Sequence, residues 1–254
     1  MKKLLAGAAT LATLALPAMT GPAQALDLST MNAAEKEAFG AAVRSYLLEN
    51  PQVIVEAYEI YQEREAEFEA ARDQNTIKQL APALFNDDRA WEAGNPEGDI
   101  VMVEFLDYRC GYCKKAHDEV KQLISGDKNI RFIVKEFPIL GEESVLASRF
   151  AIASRLVAGD DAYGRVNDAL MGYRGRITEG SLVKLANKLD LDGDAIYAKI
   201  EDPEVSQLIA DNHQLARALS ISGTPTFVVQ DQLLRGYVPL NGMQDMIAAM
   251  RAEM

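Results

Sequence analysis

Cys110 and Cys113 are the only cysteines in the 254-residue chain, and they stand three apart in Cys110-Gly111-Tyr112-Cys113. A pair at that spacing can close a disulfide, exchange it with the cysteines of another protein, or supply two ligands to a soft metal. Which chemistry follows depends on the elements that hold the pair. Ahead of it, Ile100 to Leu106 is a nearly unbroken apolar run bounded by Gly98-Asp99, the pattern of a strand buried on both faces. Behind it, Tyr112, Ala116, Val120 and Leu123 recur at helical spacing. The pair therefore sits where a strand hands over to a helix. The first turn of a helix has unpaired N–H groups and a partial positive charge, which stabilise a thiolate. Cys110 is expected as the exposed nucleophile, and Cys113, one turn in, as the sheltered partner that closes or resolves the disulfide.

Glu104 interrupts the apolar strand six residues before Cys110. A carboxylate there costs several kcal/mol unless it is paired or protonated. It reads either as a structural ion pair with Lys135 or as an acid of raised pKa that moves the Cys113 proton; the two are compatible. Lys114 and Lys115 favour a nearby thiolate, and His117, one turn beyond Cys113, reads as a solvated helix residue or a tuner of the thiol. The metal alternative would complete Cys110, Cys113 and His117 with the distant His213. His213 brings no second ligand at pair spacing, so the strand-to-helix placement favours thiolate chemistry. Met243, Met246 and Met250 recur at helical spacing and read as core.

The stretch Glu104-Phe-Leu-Asp-Tyr-Arg-Cys-Gly-Tyr-Cys-Lys-Lys resembles the active-site segment of the DsbA-like thiol–disulfide oxidoreductases, a branch of the thioredoxin fold. The lead-in Gly94-Asn-Pro-Glu-Gly-Asp-Ile-Val and the later Gly223-Thr-Pro-Thr-Phe resemble the same family, so three ordered motifs span residues 94–229. Residues 26–90 are not covered by them. The resemblance implies an α/β chain: a thioredoxin fold with an inserted helical block and an N-terminal helical extension. It implies that Pro225 is cis and faces the cysteines, with Thr224, Pro225, Gly111 and Tyr112 receiving substrate backbone; an ordinary strand-opening proline is the alternative. An acidic residue at the Glu104 offset is also a family feature. Gly-Tyr between the cysteines and Thr before the proline look more like the disulfide isomerase branch than the strongest oxidants. No bound cofactor is implied; a membrane redox partner is.

Further elements follow from pattern. Residues 129–137 alternate as a second strand, ended by Pro138 and Gly141. Residues 142–220 contain helical faces at Leu146, Phe150, Ala153 and Leu156, at Val166, Leu170 and Met171, at Leu182, Leu185 and Leu189, and from Val205 to Leu219. Thr226 to Gln230 and Leu233 to Tyr237 form a hairpin about Asp231, and a closing helix starts near Asn241. Residues 30–78 read as helix, broken at Asn50-Pro51 with Asn50 as N-cap of a second helix reaching about Arg72. Leu80 to Gly98, rich in Asn, Asp, Pro and Gly, reads as a connector.

The first 25 residues read as a signal peptide: Lys2 and Lys3, an apolar core from Leu4 to Leu16, and a cleavage site after Ala23-Gln-Ala25. The core is too short to span a bilayer. A periplasmic protein is expected, organised as residues 1–25 leader, 26–90 helical arm and 91–254 catalytic domain with the insertion at about 142–220. Losing Lys2 and Lys3 takes the net charge from −12 to −14, which leaves no electrostatic footprint for nucleic acid. One adjacent cysteine pair is not a disulfide scaffold.

The arm places Ile54, Tyr58, Tyr61 and Phe68 at a partial heptad spacing. It reads either as a helix packed on its own domain or, through residues 26–75, as a tether that makes a homo-oligomer. The expected activity is disulfide exchange with unfolded or misoxidised exported proteins, leaning to isomerisation. The alternatives are a monomeric dithiol oxidase and a binding module, holding metal or acting as a chaperone.

Overall fold

The structure, a computed structural model, describes residues 30–254. The expected leader and its cleavage after Ala25 lie outside the described residues. By its internal contacts the chain divides into two units, one ending at Tyr61 and one running from Gln62 to Met254. The division falls inside the expected arm of residues 26–90.

The described part of the first unit holds α1 (Ala33–Glu49) and the opening of α2 (Gln52–Phe85). α1 begins in a capping box: Asn32 Oδ1 accepts the Glu35 N–H at 3.0 Å, and Glu35 Oε2 accepts the Asn32 N–H at 2.8 Å. Asn50, expected to cap the second helix, closes the first instead. Its backbone N–H and its side-chain amide both reach the Tyr46 carbonyl, at 2.8 and 2.9 Å. The final carbonyls of a helix lack donors, and an amide meets that need as well as it meets the other end. α1 buries none of its residues, and Tyr46, Leu48, Ile54, Val55 and Tyr61 are all more than half exposed.

In the second unit α2 continues past Arg72 to Phe85. Ile77 and Leu84 are buried seven apart on one face, and that burial, worth roughly 1.5–3 kcal/mol for each large side chain, outweighs Pro82 near the helix end. The expected connector is thus partly helix. It also contains a strand, β1 (Trp91–Gly94), too short to announce itself among its Asn, Asp and Pro neighbours.

Four more strands follow: β2 (Ile100–Leu106), β3 (Ile130–Glu136), β4 (Thr226–Val229) and β5 (Gln232–Arg235). They form one sheet in the order β1-β3-β2-β4-β5, with β2 parallel to β3 and the remaining pairs antiparallel. β2 lies at the centre, and the period of two splits its side chains between two cores. Met102 and Leu106 enter the larger core with α3 (Gly111–Asp127), α4 (Glu142–Gly172) and α8 (Leu240–Glu253), including Met243 and Met250. Val103 and Phe105 enter the smaller one with Ile77, Leu84 and Leu215. Between β3 and β4 stand only helices among the described residues: α4, α5 (Glu179–Asn187), α6 (Gly193–Ala198) and α7 (Pro203–Ala218). α4 bends at Gly159, whose φ of 82° lies in the left-handed region that favours glycine. α6 was not legible as a separate element. The mixed sheet with its inserted helices is the expected thioredoxin-type α/β architecture.

Candidate functional site

The end of β2 sets the site. Asp107, wholly buried, accepts four hydrogen bonds: Oδ1 from the Arg109 N–H at 2.7 Å and the Ser144 hydroxyl at 2.8 Å, Oδ2 from the Ile139 and Leu140 N–H groups at 2.8 and 3.0 Å. Tyr108 donates to Glu136 Oε1 at 2.7 Å. The turn that presents Cys110 is therefore pinned to β3 and to the start of α4. Sequence reasoning missed both anchors and Glu136. The signals were there, in a Lys-Glu at the end of an apolar strand and an Asp-Tyr in the turn.

Cys110, expected to be exposed, is only 7% exposed, because the Thr224–Pro225 segment closes over it; it is the N-cap of α3, and its sulfur accepts the Cys113 N–H at 3.4 Å. Across the gap Cys110 Sγ donates to the Thr224 carbonyl at 3.1 Å, and the Thr224–Pro225 peptide is cis. Gly111 and Tyr112 are exposed; beyond its chain neighbours and the helix's own backbone, nothing lies within 4 Å of where a Gly111 Cβ would be. Tyr112 is 63% exposed and stacks on Tyr237 with ring centres 6.1 Å apart. The structure thus gathers Cys110, Cys113, Gly111, Tyr112, Thr224 and Pro225 where the central strand β2 ends and its neighbour β4 begins.

The two sulfurs are electrostatically unequal. The Cys113 thiol and the N–H groups opening the helix, directed at the Cys110 sulfur, bring it down from 9.0 to about 5 against the cost of its burial. Burial pushes Cys113 far above the ordinary thiol range, with its bond to Cys110 and the charge of Glu104 adding to the effect.

Glu104 is 2% exposed, and its Oε1 has no hydrogen-bond partner. Burial first, then the charges of Cys110 and Glu136, raise it from 4.5 to about 8. The expected partner Lys135 is not its partner. In the parallel register Lys135 stands opposite Phe105, whereas Glu104 stands opposite Val134, so the two side chains leave opposite faces of the sheet. Lys135 pairs with Asp87 at 3.2 Å instead.

His117 is not solvated. Its side chain is 15% exposed, Nε2 meets Asp168 Oδ1 at 2.8 Å, and burial holds it below the usual imidazole range. His213 packs on Phe137 with ring centres 4.8 Å apart. Among the described residues no group of three or more His, Cys, Asp or Glu side chains could hold a metal, so the four-ligand set does not assemble.

Comparison with known proteins places the chain in a family. The model of the DSBA-like thioredoxin domain matches residues 101–248, more than half of the chain, and the copper resistance protein ScsC N-terminal domain matches residues 35–67. A thioredoxin-like oxidoreductase from Silicibacter pomeroyi DSS-3 is 41% identical, covers 67% of this chain and 97% of its own, and superposes with a TM-score of 0.63. The thiol-disulfide exchange protein alpha-DsbA2 from Wolbachia pipientis is 27% identical over 71% of this chain and 97% of its own, with a TM-score of 0.66. Among curated proteins, the Na(+)/H(+) antiporter NhaA 1 of Salinispora arenicola is 30% identical over 59% of this chain. That match spans only 23% of the antiporter, and the matches to the other NhaA proteins first found likewise span under a quarter of their length. Matched over residues 101–248, the chain belongs to the DSBA-like thioredoxin domain family.

Proposed function

We propose that the protein is a periplasmic disulfide isomerase that works through Cys110 and Cys113. The observation that carries this reading is the inequality of the two thiols beside a cis proline: one, 7% exposed at the start of α3, is held as a thiolate, and the other, wholly buried one turn further in, is kept protonated. A depressed Cys110 stabilises the reduced pair, the form that isomerisation uses. The Cys110 thiolate attacks one sulfur of a wrong disulfide, joins it, and releases the other client sulfur as thiolate. A second client thiolate then displaces Cys110, which completes isomerisation with no net change in electrons. Where none arrives, the Cys113 thiolate attacks Cys110; the client leaves reduced and the pair is left oxidised, to be re-reduced by a membrane partner.

That second route needs a base for the Cys113 proton. Glu104 fits, because consumption of the Cys110 thiolate removes one of the charges that raise it. It ionises more readily at the moment a base is required. The substrate backbone rests against Thr224, Pro225, Gly111 and Tyr112. Copies of the chain associate through the unburied apolar side chains of α1 and the opening of α2, raising the local density of client-binding faces. The leader directs export.

The test is trapping. Cys113→Ala should accumulate mixed disulfides with exported proteins on non-reducing gels, and Cys110→Ser should form none and lose all turnover. Adducts on the Cys110 variant alone would reverse the roles. Deleting residues 26–61, which spares the Asp73–Arg235 ion pair at 2.7 Å, should give a monomer by light scattering that oxidises dithiols but poorly reactivates a scrambled client. A monomeric full-length protein would leave a simple dithiol oxidase.

A further inference from the structure

Beside Cys110 lies a cleft of about 710 Å³ whose sign is opposite to that of the chain. Gly111, the residue after the nucleophile, forms part of its wall. Four cations line it, Arg109, Lys114, Lys115 and Arg174, against two carboxylates, Asp118 and Glu119. Both oxygens of Glu119 are already engaged, one by the Tyr237 hydroxyl at 2.6 Å and the other by the Leu240 N–H at 2.7 Å.

The cations, in contrast, find few acids. Lys114 donates to the Tyr173 carbonyl, Arg174 donates to the Met171 carbonyl at 3.0 Å, and Lys115 lies 4.1 Å over the Tyr237 ring. None of these three takes part in an ion pair with a described residue, although the chain carries a net charge of −12. Only Arg109 has a carboxylate within 4 Å, Glu143 at 3.5 Å. The cations also crowd one another: burial and then the charges of Arg174 and Arg109 hold Lys114 below the usual lysine range. A cluster of four like charges next to a reactive sulfur, three of them with only carbonyls and a ring face as partners, is poised for an external anion. The Tyr112–Tyr237 stack flanking Lys115 adds a flat apolar surface for the client chain itself.

We propose that this cleft receives acidic side chains of the client, so that the protein acts preferentially on cysteines flanked by Asp or Glu. The inference rests on the reading of Cys110 as the exchanging thiol. The protein's overall negative charge works against such a preference, since long-range steering alone favours basic clients. A preference for acidic clients is therefore a signature of the local cleft.

The experiment compares three dithiol peptides that differ only in their flanks, Asp, Asn or Lys, each reacted with the oxidised full-length protein. In each reaction two electrons pass from peptide to protein; the peptide gains a disulfide, the Cys110–Cys113 pair becomes a thiolate and a thiol, and the remaining peptide proton goes to solvent. The same peptides reacted with an uncharged small disulfide correct for the effect of the flanks on their own thiols. After that correction the Asp peptide should react on the order of ten-fold faster than the Lys peptide at low salt, and the ratio should fall toward one near 1 M salt, where screening reaches about 3 Å. The double variant Lys114→Gln/Arg174→Gln should lower the same ratio at low salt. Equal rates for the three peptides, or a faster Lys peptide, would overturn the cleft while leaving the exchange reading intact. No reaction with any peptide would overturn both.

Discussion

Glu104 and Glu136 lie on neighbouring strands, alternate with core residues on the same face of the sheet, and are each 2% exposed. Their surroundings nonetheless differ completely. Glu136 sits at the end of β3 against α4 and accepts three hydroxyls: Tyr108 at 2.7 Å and Tyr163 at 2.5 Å on Oε1, and Ser148 at 2.6 Å on Oε2. Glu104 sits in the middle of β2 beneath the cysteines with an oxygen that nothing meets. Burial raises both, Glu136 to about 7 and Glu104 to about 8. Depth alone therefore does not tell a structural acid from a reactive one; the inventory of donors does. The satisfied carboxylate binds the helical block to the sheet. The unsatisfied one is held in reserve for the chemistry beside it.

The largest effect expected from breaking this contrast is on Glu136. Glu136→Leu strands three buried hydroxyls, each worth about 1–3 kcal/mol when orphaned, so urea unfolding should show a loss on the order of 3 kcal/mol or more. An unchanged midpoint would mean that the network holds nothing together.

Glu104 should respond in the opposite sense. Glu104→Leu removes a buried group that lacks a partner, and stability should rise by about 1 kcal/mol. The step in which Cys113 displaces a client should slow, and Glu104→Gln should slow it equally. Stopped-flow release of a trapped client measures that step; an unaltered rate would remove Glu104 from the proton path.

A subtler expectation concerns pH. Between pH 4.5 and about 8 folded Glu104 keeps a proton that the unfolded chain releases, and Glu136 does so up to about 7, so both lower stability as pH rises. Cys110 runs the other way. Its thiol falls from 9.0 to about 5, so the unfolded chain binds the extra proton and stability rises over that window. Only the reduced protein has this second contribution. Urea midpoints from pH 5 to pH 8 should therefore fall more steeply for the oxidised protein, and parallel curves would contradict the assignment. The smallest effect belongs to His117. Asp168→Asn, at a half-exposed partner, should cost less than about 1 kcal/mol and leave exchange rates unchanged.

What was legible in the sequence was what short-range pattern encodes. The strand-to-helix handover at Cys110, the hairpin after Pro225 and the methionine face of α8 each lie within a few residues of their own signal. What was not legible depends on residues far apart in the chain. Tyr108 meets Glu136, Trp91 meets Asp160, and Lys135 meets Asp87. The mistaken pairing of Glu104 with Lys135 had the right ingredients, a buried acid and a buried base on adjacent strands. Only the register, Phe105 opposite Lys135, shows that they face apart. α2 outran its expected end for a related reason: the apolar side chains that sustain it, Ile77 and Leu84, are explained by a core that forms only when the sheet is in place.

Trp91 is the only tryptophan in the chain. It lies on the edge strand β1, donates its indole N–H to the Asp160 carbonyl at 2.9 Å, and packs on Tyr163 with ring centres 5.1 Å apart. The protein consequently carries a built-in optical gauge at the seam between sheet and helical block. Excitation at the red edge of the absorption band addresses that single ring, and a shift of its emission to longer wavelength signals that α4 has parted from β1 and admitted water. Detachment of the helical block can thus be followed in the unlabelled protein, as an event separate from exchange at the cysteines.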